Sequence, residues 1–366
     1  MHTEIIKIQD PIDSMPDIIR AADILRRGGL VVFPTETVYG LGGDGTSAEA
    51  AEKIYAAKGR PSDNPLIIHI ATPEDAALYT CAEPTAYALY LRLAKAFMPG
   101  PLTVILPRRD NIPLSTTGGL DTVAVRCPSH PVAHELIRAA GVPIAAPSAN
   151  LSGKPSPTSA EHVTTDLDGR VDMIIDGGEC DIGLESTIVK IDVAEDGEAY
   201  LTLLRPGGIT CDALTCVCDR VYVAPAVSEQ LGKDERPLSP GMKYRHYAPS
   251  APLVLLQGED ADVLAFLKLR QNDSHCAILC YDEEVGELRS EGLLPVGSRA
   301  DISAQAHRLF ARLREADTTD VNGIRAEIIY AHLPDKSGLG LALYNRMIRA
   351  AAHTVLSIGT GGVPEE

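Results

Sequence analysis

Short apolar runs alternate along the whole chain with segments of helical periodicity, and this alternation sets the reading of the fold. Ile5, Ile6 and Ile8 predict a short opening strand. A helix over residues 14–27 follows, capped by Ser14, with Ile18, Ala22 and Leu25 on one face. Gly28 and Gly29 stop it, and residues 30–33 read as a buried strand. Residues 34–44 read as one long loop dense in hydroxyls and glycine, where backbone N–H groups can approach a ligand closely. Thr46 with Glu49 has the spacing of a capping box and opens a helix running to about residue 57.

Residues 66–70 form the next apolar run, with His69 as its one polar interruption. Helical patterns cover much of 73–98 with a break near Glu83 and Pro84, and 102–106 is a strand. Alternation over 122–126 puts Thr122, Ala124 and Arg126 on one face of a strand. A helix spans 130–140, and a short strand at 143–146 enters a second hydroxyl- and proline-rich loop, 147–156. Thr158 with Glu161 predicts another boxed helix. Strands follow at 173–175, 187–191 and 201–204, then a short helix at 209–217 capped by Thr210.

Between 223 and 250 the apolar periodicity lapses and charges and prolines dominate. The run at 239–249 nevertheless carries Lys243, Tyr244, Arg245, His246 and Tyr247, more chemistry than an inert spacer needs, although a linker docked by its aromatics reads the same way. From 253 a new alternation begins, with strands at 253–256, 277–281 and 326–331 and helices at 261–270, 302–316 and 339–352. The expected organisation is a catalytic α/β domain over 1–222, a linker or lid over 223–250, and a smaller layered α/β domain with parallel character over 251–366.

Composition narrows the function. The 366 residues carry a formal charge of −17 with only 4% aromatics and no Trp, which argues against a broad nucleic-acid surface or a stacking platform for single strands. Any cationic function is then a local pocket in an acidic protein, suited to a small anionic ligand. The eight cysteines match no paired zinc pattern and read as small apolar residues in a reducing compartment. No apolar run approaches the length of a membrane span, so a cytoplasmic protein is expected.

The candidate chemistry begins at Lys58-Gly59-Arg60-Pro61-Ser62-Asp63-Asn64-Pro65. Two cations one residue apart sit on a turn that Gly59, Pro61 and Pro65 make non-helical, a point charge beside a planar fork. That pairing suits phosphate oxygens. It also suits the C-terminal dipole of the preceding helix, and both readings stand on these residues alone. An Arg126 on the inner face of an apolar strand needs a carboxylate partner, from protein or ligand, unless it turns to solvent at the strand end. The loop at 34–44 lacks the Gly-Lys-Ser/Thr of a Walker loop.

Taken together, FPTETVYGLG at 33–42, KGRPSDNPLIIHI at 58–70, GLDTVAVR at 119–126 and PIAAPSANLSGKPSPT at 143–158 resemble the threonylcarbamoyl-AMP synthase family in its two-domain form. ESTIV at 185–189, LLRPGG at 203–208 and SPGMKYRHYAP at 239–249 extend the likeness, and GLGLALYNRMIRAA near the C-terminus is similar to the family's accessory domain. The resemblance implies a twisted open-sheet YrdC-like catalytic domain with a second, smaller Rossmann-like α/β domain. It implies condensation of L-threonine, bicarbonate or carbon dioxide, and ATP to threonylcarbamoyl-AMP and pyrophosphate, for the modification of an adenosine in tRNA.

By the same resemblance Lys58, Arg60, Ser148 and Asn150 form the catalytic set. Thr37, His69, Arg126, Ala146 and Ser186 lie on the threonine side. Arg60, Asn64, Thr122, Ser148, Ser156, Arg205 and Tyr244 lie on the nucleotide side. Mg2+ is expected to ride on the ATP phosphates without a dedicated protein site, and no organic cofactor is expected. A downstream threonylcarbamoyl-transferase complex would receive the product, with no stable nucleic-acid binding and no membrane partner. Two other readings are an RNA-binding module of the same fold, which the −17 charge opposes, and a carbamoyl-transfer enzyme of the hydrogenase-maturation type. Proteins of that last type carry zinc-finger and acylphosphatase-like regions, and the sequence shows neither.

Overall fold

In the computed structural model, residues 2–229, 237–241, 246–271, 273, 275–321 and 323–365 are described. The expected nucleotide-side Tyr244 lies outside them. Two compact units emerge: Met1–Ser152 with Ser156–Lys243, and Gly153–Pro155 with Tyr244–Glu366.

The first unit is built on a mixed sheet. In chain order its elements are β1 (Glu4–Lys7), α1 (Met15–Arg26), β2 (Val31–Phe33), β3 (Gly40–Asp44), α2 (Ala48–Lys58), β4 (Ile67–His69), a one-turn helix α3 (Ala76–Tyr79) and α4 (Pro84–Phe97). Then come β5 (Leu102–Pro107), β6 (Thr122–Arg126), α5 (Pro131–Ala140), β7 (Ile144–Ala145), α6 (Ala160–Leu167), β8 (Met173–Asp176), β9 (Thr187–Val193), β10 (Ala199–Arg205), α7 (Cys211–Thr215) and β11 (Val221–Val223). Among the described residues the strands form one sheet in the order β1-β8-β2-β3-β7-β4-β6-β5-β9-β10-β11. Ile18, Ala21, Ala22 and Leu25 of α1 meet Val132, Ala133, Leu136 and Ile137 of α5 over Val31, Phe33 and Ile175. The helical spacing of those apolar positions is what buries them together.

Four local expectations change. The loop of 34–44 is a loop only as far as Tyr39. Its glycine-rich half is strand β3, antiparallel to β2 with Val31 opposite Gly42. A Cβ on Gly42 would lie 2.8 Å from Ile144 Cγ2 and 2.9 Å from Phe33 Cε1, so glycine here serves close packing between strands. The cap of α2 is Ser47, which accepts from Ala50 N–H, while Thr46 donates to Asp44 Oδ1. The cap of α6 is likewise one residue later than expected, Ser159, which accepts from His162 N–H. In both cases two adjacent hydroxyl residues compete for one cap, and spacing alone does not choose between them. Ser14 does precede α1, but its side chain makes no capping hydrogen bond.

The second unit contains β12 (Leu253–Gln257), α8 (Asp260–Arg270), β13 (Cys276–Cys280), β14 (Leu293–Pro295), α9 (Ile302–Ala316), a small β15–β16 ladder (Asp320–Val321, Ile324–Arg325), β17 (Ile328–His332), α10 (Gly340–Ala350), β18 (Val355–Gly359) and β19 (Val363–Pro364). Its main sheet runs β14-β13-β17-β12-β18-β19, parallel except for the last pair. Val263, Phe266 and Leu267 of α8 pack on Leu256, Ile278, Cys280 and Ile358. The near-continuous apolar runs in β12 and β13 fit strands covered on both faces.

Candidate active site

Strand register assembles one half of the site. Parallel pairing of β4 with β6 sets His69 beside Arg126, and antiparallel pairing of β6 with β5 sets Arg126 beside Thr103. Side chains at paired positions share a face of the sheet. The Thr103 hydroxyl lies 2.7 Å from Ser186 Oγ, just before β9. Ser186 in turn receives Arg205, whose Nε donates to its carbonyl at 3.0 Å and whose Nη2 donates to its hydroxyl at 3.1 Å. Five side chains distant in sequence thus form one polar row across apolar strands. All are buried, none more than 6% exposed.

The loop that follows β2 closes over this row. Thr37 and Thr35 hydroxyls lie 2.8 Å apart, and Glu36 Oε1 accepts from Arg126 Nη2 at 2.8 Å. Arg126 Nε is buried with no hydrogen-bond partner among the described residues. Burial, reinforced by the Arg126 charge, drives the His69 imidazole down from its ordinary range to about 3, so the ring is neutral. Its Nδ1 lies 3.3 Å from the Ile144 carbonyl, which can only accept. The proton therefore sits on Nδ1, and Nε2 keeps its lone pair for another partner. Ala146 caps this corner, its N–H bound to the Ile67 carbonyl at 2.9 Å.

A second cluster forms where α2 ends. Gly59, at φ 62°, is the left-handed cap that stops the helix at Lys58. Lys58 is 2% exposed, and its ammonium donates to the carbonyl oxygens of Ser148 and Asn150 and, at 3.4 Å, to Asn150 Oδ1. The Ser148 hydroxyl donates to the same Asn150 Oδ1. Arg60 turns back on its own loop, donating to Asn64 O at 3.3 Å and Pro65 O at 3.0 Å. Asn64 Oδ1 is buried without a partner among the described residues. Ser156 hydrogen bonds Glu185, and both are buried. Thr122 sits at the start of β6, opposite Pro107, and is partly exposed.

Lys58, Ser148 and Asn150 are therefore directly linked, as are Arg126 with the His69 strand and Ser186 with Arg205. The chain from Ala146 to Ser148 joins the two clusters. Sequence reasoning missed Glu36, Thr103 and Glu185. Thr103 is legible only as an inward-facing hydroxyl in an apolar strand, and Glu36 only as the one acid in a loop of hydroxyls. No thiol is poised as a nucleophile in this region: burial pushes Cys127 up to about 12 and raises Cys180 as well.

A family profile described as "Telomere recombination" matches residues 23–207, and one described as "Threonylcarbamoyl-AMP synthase, C-terminal domain" matches residues 209–352. The threonylcarbamoyl-AMP synthase of Bacillus subtilis is 45% identical over 93% of this chain and 94% of its own length. The chain belongs to the threonylcarbamoyl-AMP synthase family. The Pyrococcus abyssi member is 41% identical over 97% of this chain and its full length. The crystal structure of P. abyssi Sua5 complexed with L-threonine superposes with a TM-score of 0.85 at 39% identity, covering 98% of this chain and 100% of that one. The two-domain resemblance and the α/β fold class expected from sequence are thereby borne out.

Proposed function

We propose that this protein is an L-threonylcarbamoyladenylate synthase, a nucleotidyltransferase-type enzyme that condenses L-threonine, bicarbonate or carbon dioxide, and ATP. The observation that carries this reading is the pairing of two unlike clusters on one sheet. A buried guanidinium with an unpartnered Nε lies beside a neutral imidazole, and a buried ammonium lies on the loop that continues from the same corner. The first suits an amino-acid carboxylate, and the second a phosphoryl group under attack.

In this mechanism Arg126 binds the threonine carboxylate, while Thr37, Ser186 and the Nε2 lone pair of His69 hold its remaining polar groups against Ala146. The deprotonated threonine amine adds to carbon dioxide with release of a proton, or to bicarbonate with release of water, to give a carbamate. A carbamate oxygen attacks the α-phosphorus of ATP as the bond to pyrophosphate breaks. Lys58, Arg60, Ser148 and Asn150 position the phosphoryl group and neutralise its growing charge, so that catalysis is chiefly positioning and electrostatics. Asn64, Thr122, Ser156 and Arg205 line the nucleotide side, and the orphaned Oδ1 of Asn64 offers an acceptor for a ligand N–H or O–H. Tyr244, assigned to that side from sequence, lies outside the described residues.

Among the described residues no group of three or more His, Cys, Asp or Glu side chains is placed to hold a metal ion, and no step is assigned to one. Magnesium carried on the triphosphate would supply neutralisation of its charge. In this reading residues 1–222 form the catalytic domain, 251–366 the accessory domain and 223–250 an interdomain linker or lid, of which 230–236 and 242–245 lie outside the described residues. The reaction is cytoplasmic, and a threonylcarbamoyl-transferase complex receives the product. Among the described residues no helix is long and apolar enough to cross a membrane.

Pyrophosphate release tests the assignment. It should require ATP, L-threonine and bicarbonate together, and fall to background when either of the last two is omitted. Equal ATP turnover without threonine would overturn the reading.

A further inference from the structure

Glu36 is a carboxylate buried in a region read as binding anions. It is 5% exposed, and its three polar contacts come from three different parts of the first unit. Oε1 accepts from Arg126 Nη2 at 2.8 Å, at the end of β6. Oε2 accepts from Ser129 N–H at 3.2 Å, in the loop after β6. Its backbone carbonyl accepts from Ile182 N–H at 2.9 Å, before β9. The carboxylate is thus engaged on both oxygens, one of them by a backbone N–H independent of Arg126. Arg126 gives Glu36 one nitrogen and keeps Nε buried and unpartnered. Because the fork is planar, a hydrogen bond at Nη2 restricts the directions its other donors can take.

We propose that Glu36 is a positioning residue for threonine recognition: by holding Nη2 of Arg126 it aims the other guanidinium donors, Nε among them, at the amino-acid carboxylate. The inference rests on Arg126 being the carboxylate ligand. The pair has a second consequence. Matching the Arg126 cation with the Glu36 anion keeps that guanidinium from being an isolated buried charge before substrate arrives. Without the Glu36 charge, the pocket would carry an isolated guanidinium, free to rotate toward any nearby carbonyl.

The experiment is a double-mutant cycle on the full chain, with L-threonine and ATP affinities measured separately by calorimetry. Glu36→Gln keeps the shape but turns an amide N–H toward a donor on one side. It should weaken L-threonine binding by about 10- to 100-fold, the loss of a buried charge-assisted hydrogen bond, and leave ATP affinity unchanged. Glu36→Asp keeps the charge at a shorter reach and should restore part of the lost threonine affinity. Arg126→Ala alone should lose threonine affinity, and Glu36→Gln added to it should cause no further loss.

Unaltered threonine affinity in Glu36→Gln, or the same factor lost in both backgrounds, overturns the inference while leaving the Arg126 assignment intact. Threonine and ATP affinities falling together in Glu36→Asp, which also serves if the Gln variant does not fold, would mark Glu36 as a plain structural tie and overturn it too. Wild-type threonine affinity in Arg126→Ala overturns the Arg126 assignment itself, and the inference with it.

Discussion

His69 shows how strongly a single setting can change a side chain. Its neighbours on adjacent strands are apolar except for Arg126, and the cost of burying a charge combines with repulsion from that guanidinium to keep it neutral. The unfolded chain has no such constraint and protonates near the ordinary value of about 6.5. Below that pH the unfolded state binds a proton that the folded state refuses. The contribution of His69 to stability is therefore complete above about 6.5 and is lost progressively as pH falls toward about 3. Across that window the slope from this one group approaches about 1.4 kcal/mol per pH unit. Urea unfolding of the wild type and of His69→Gln should show the wild type losing stability more steeply between pH 6.5 and 4. Parallel curves would mean that His69 is not held neutral. Burial also lowers His130, which contributes in the same direction in both proteins and cancels from the comparison.

At the level of elements, β3 is the clearest case in which packing overrides local propensity. Gly40-Leu41-Gly42-Gly43-Asp44 has poor strand propensity. It is a strand because β2 and β7 approach on either side, too closely for most side chains. Gly42→Val tests this. The residue has high strand propensity, yet its branches would enter space occupied by Ile144, Phe33 and the Val31 carbonyl. The expected result is destabilisation by about 1–3 kcal/mol in denaturant unfolding, in line with overpacked cores. A neutral or stabilising effect would mean that β3 does not sit where it is described. The same element matters for the site, because the loop carrying Glu36 and Thr37 is strung between β2 and β3, and their close pairing fixes both of its ends.

On the scale of the whole molecule, the chain carries 50 acidic and 33 basic residues, and the cations of the site are not part of a surface field. Lys58, Arg60, Arg126 and Arg205 are each 7% exposed or less and are engaged with protein oxygens. A polyanion would find little to displace counterions from, so filter retention of tRNA at physiological salt should be absent. Tight retention that weakens steeply with added salt would revive the RNA-binding reading. What the sequence by itself determined was local. The apolar periods located most of the longer strands and helices, and the motifs around Lys58, Arg126 and Ser148 marked the chemistry because their residue types are costly to bury without a purpose. The tertiary structure decided the rest. Parallel register put His69 beside Arg126, Thr103 and Ser186 met across a strand boundary, and Glu36 became the partner of a guanidinium ninety positions away. None of these pairings leaves a mark in local spacing. Each depends on strand order and register, which are set by the combined packing of the sheet and its helices rather than by any one segment.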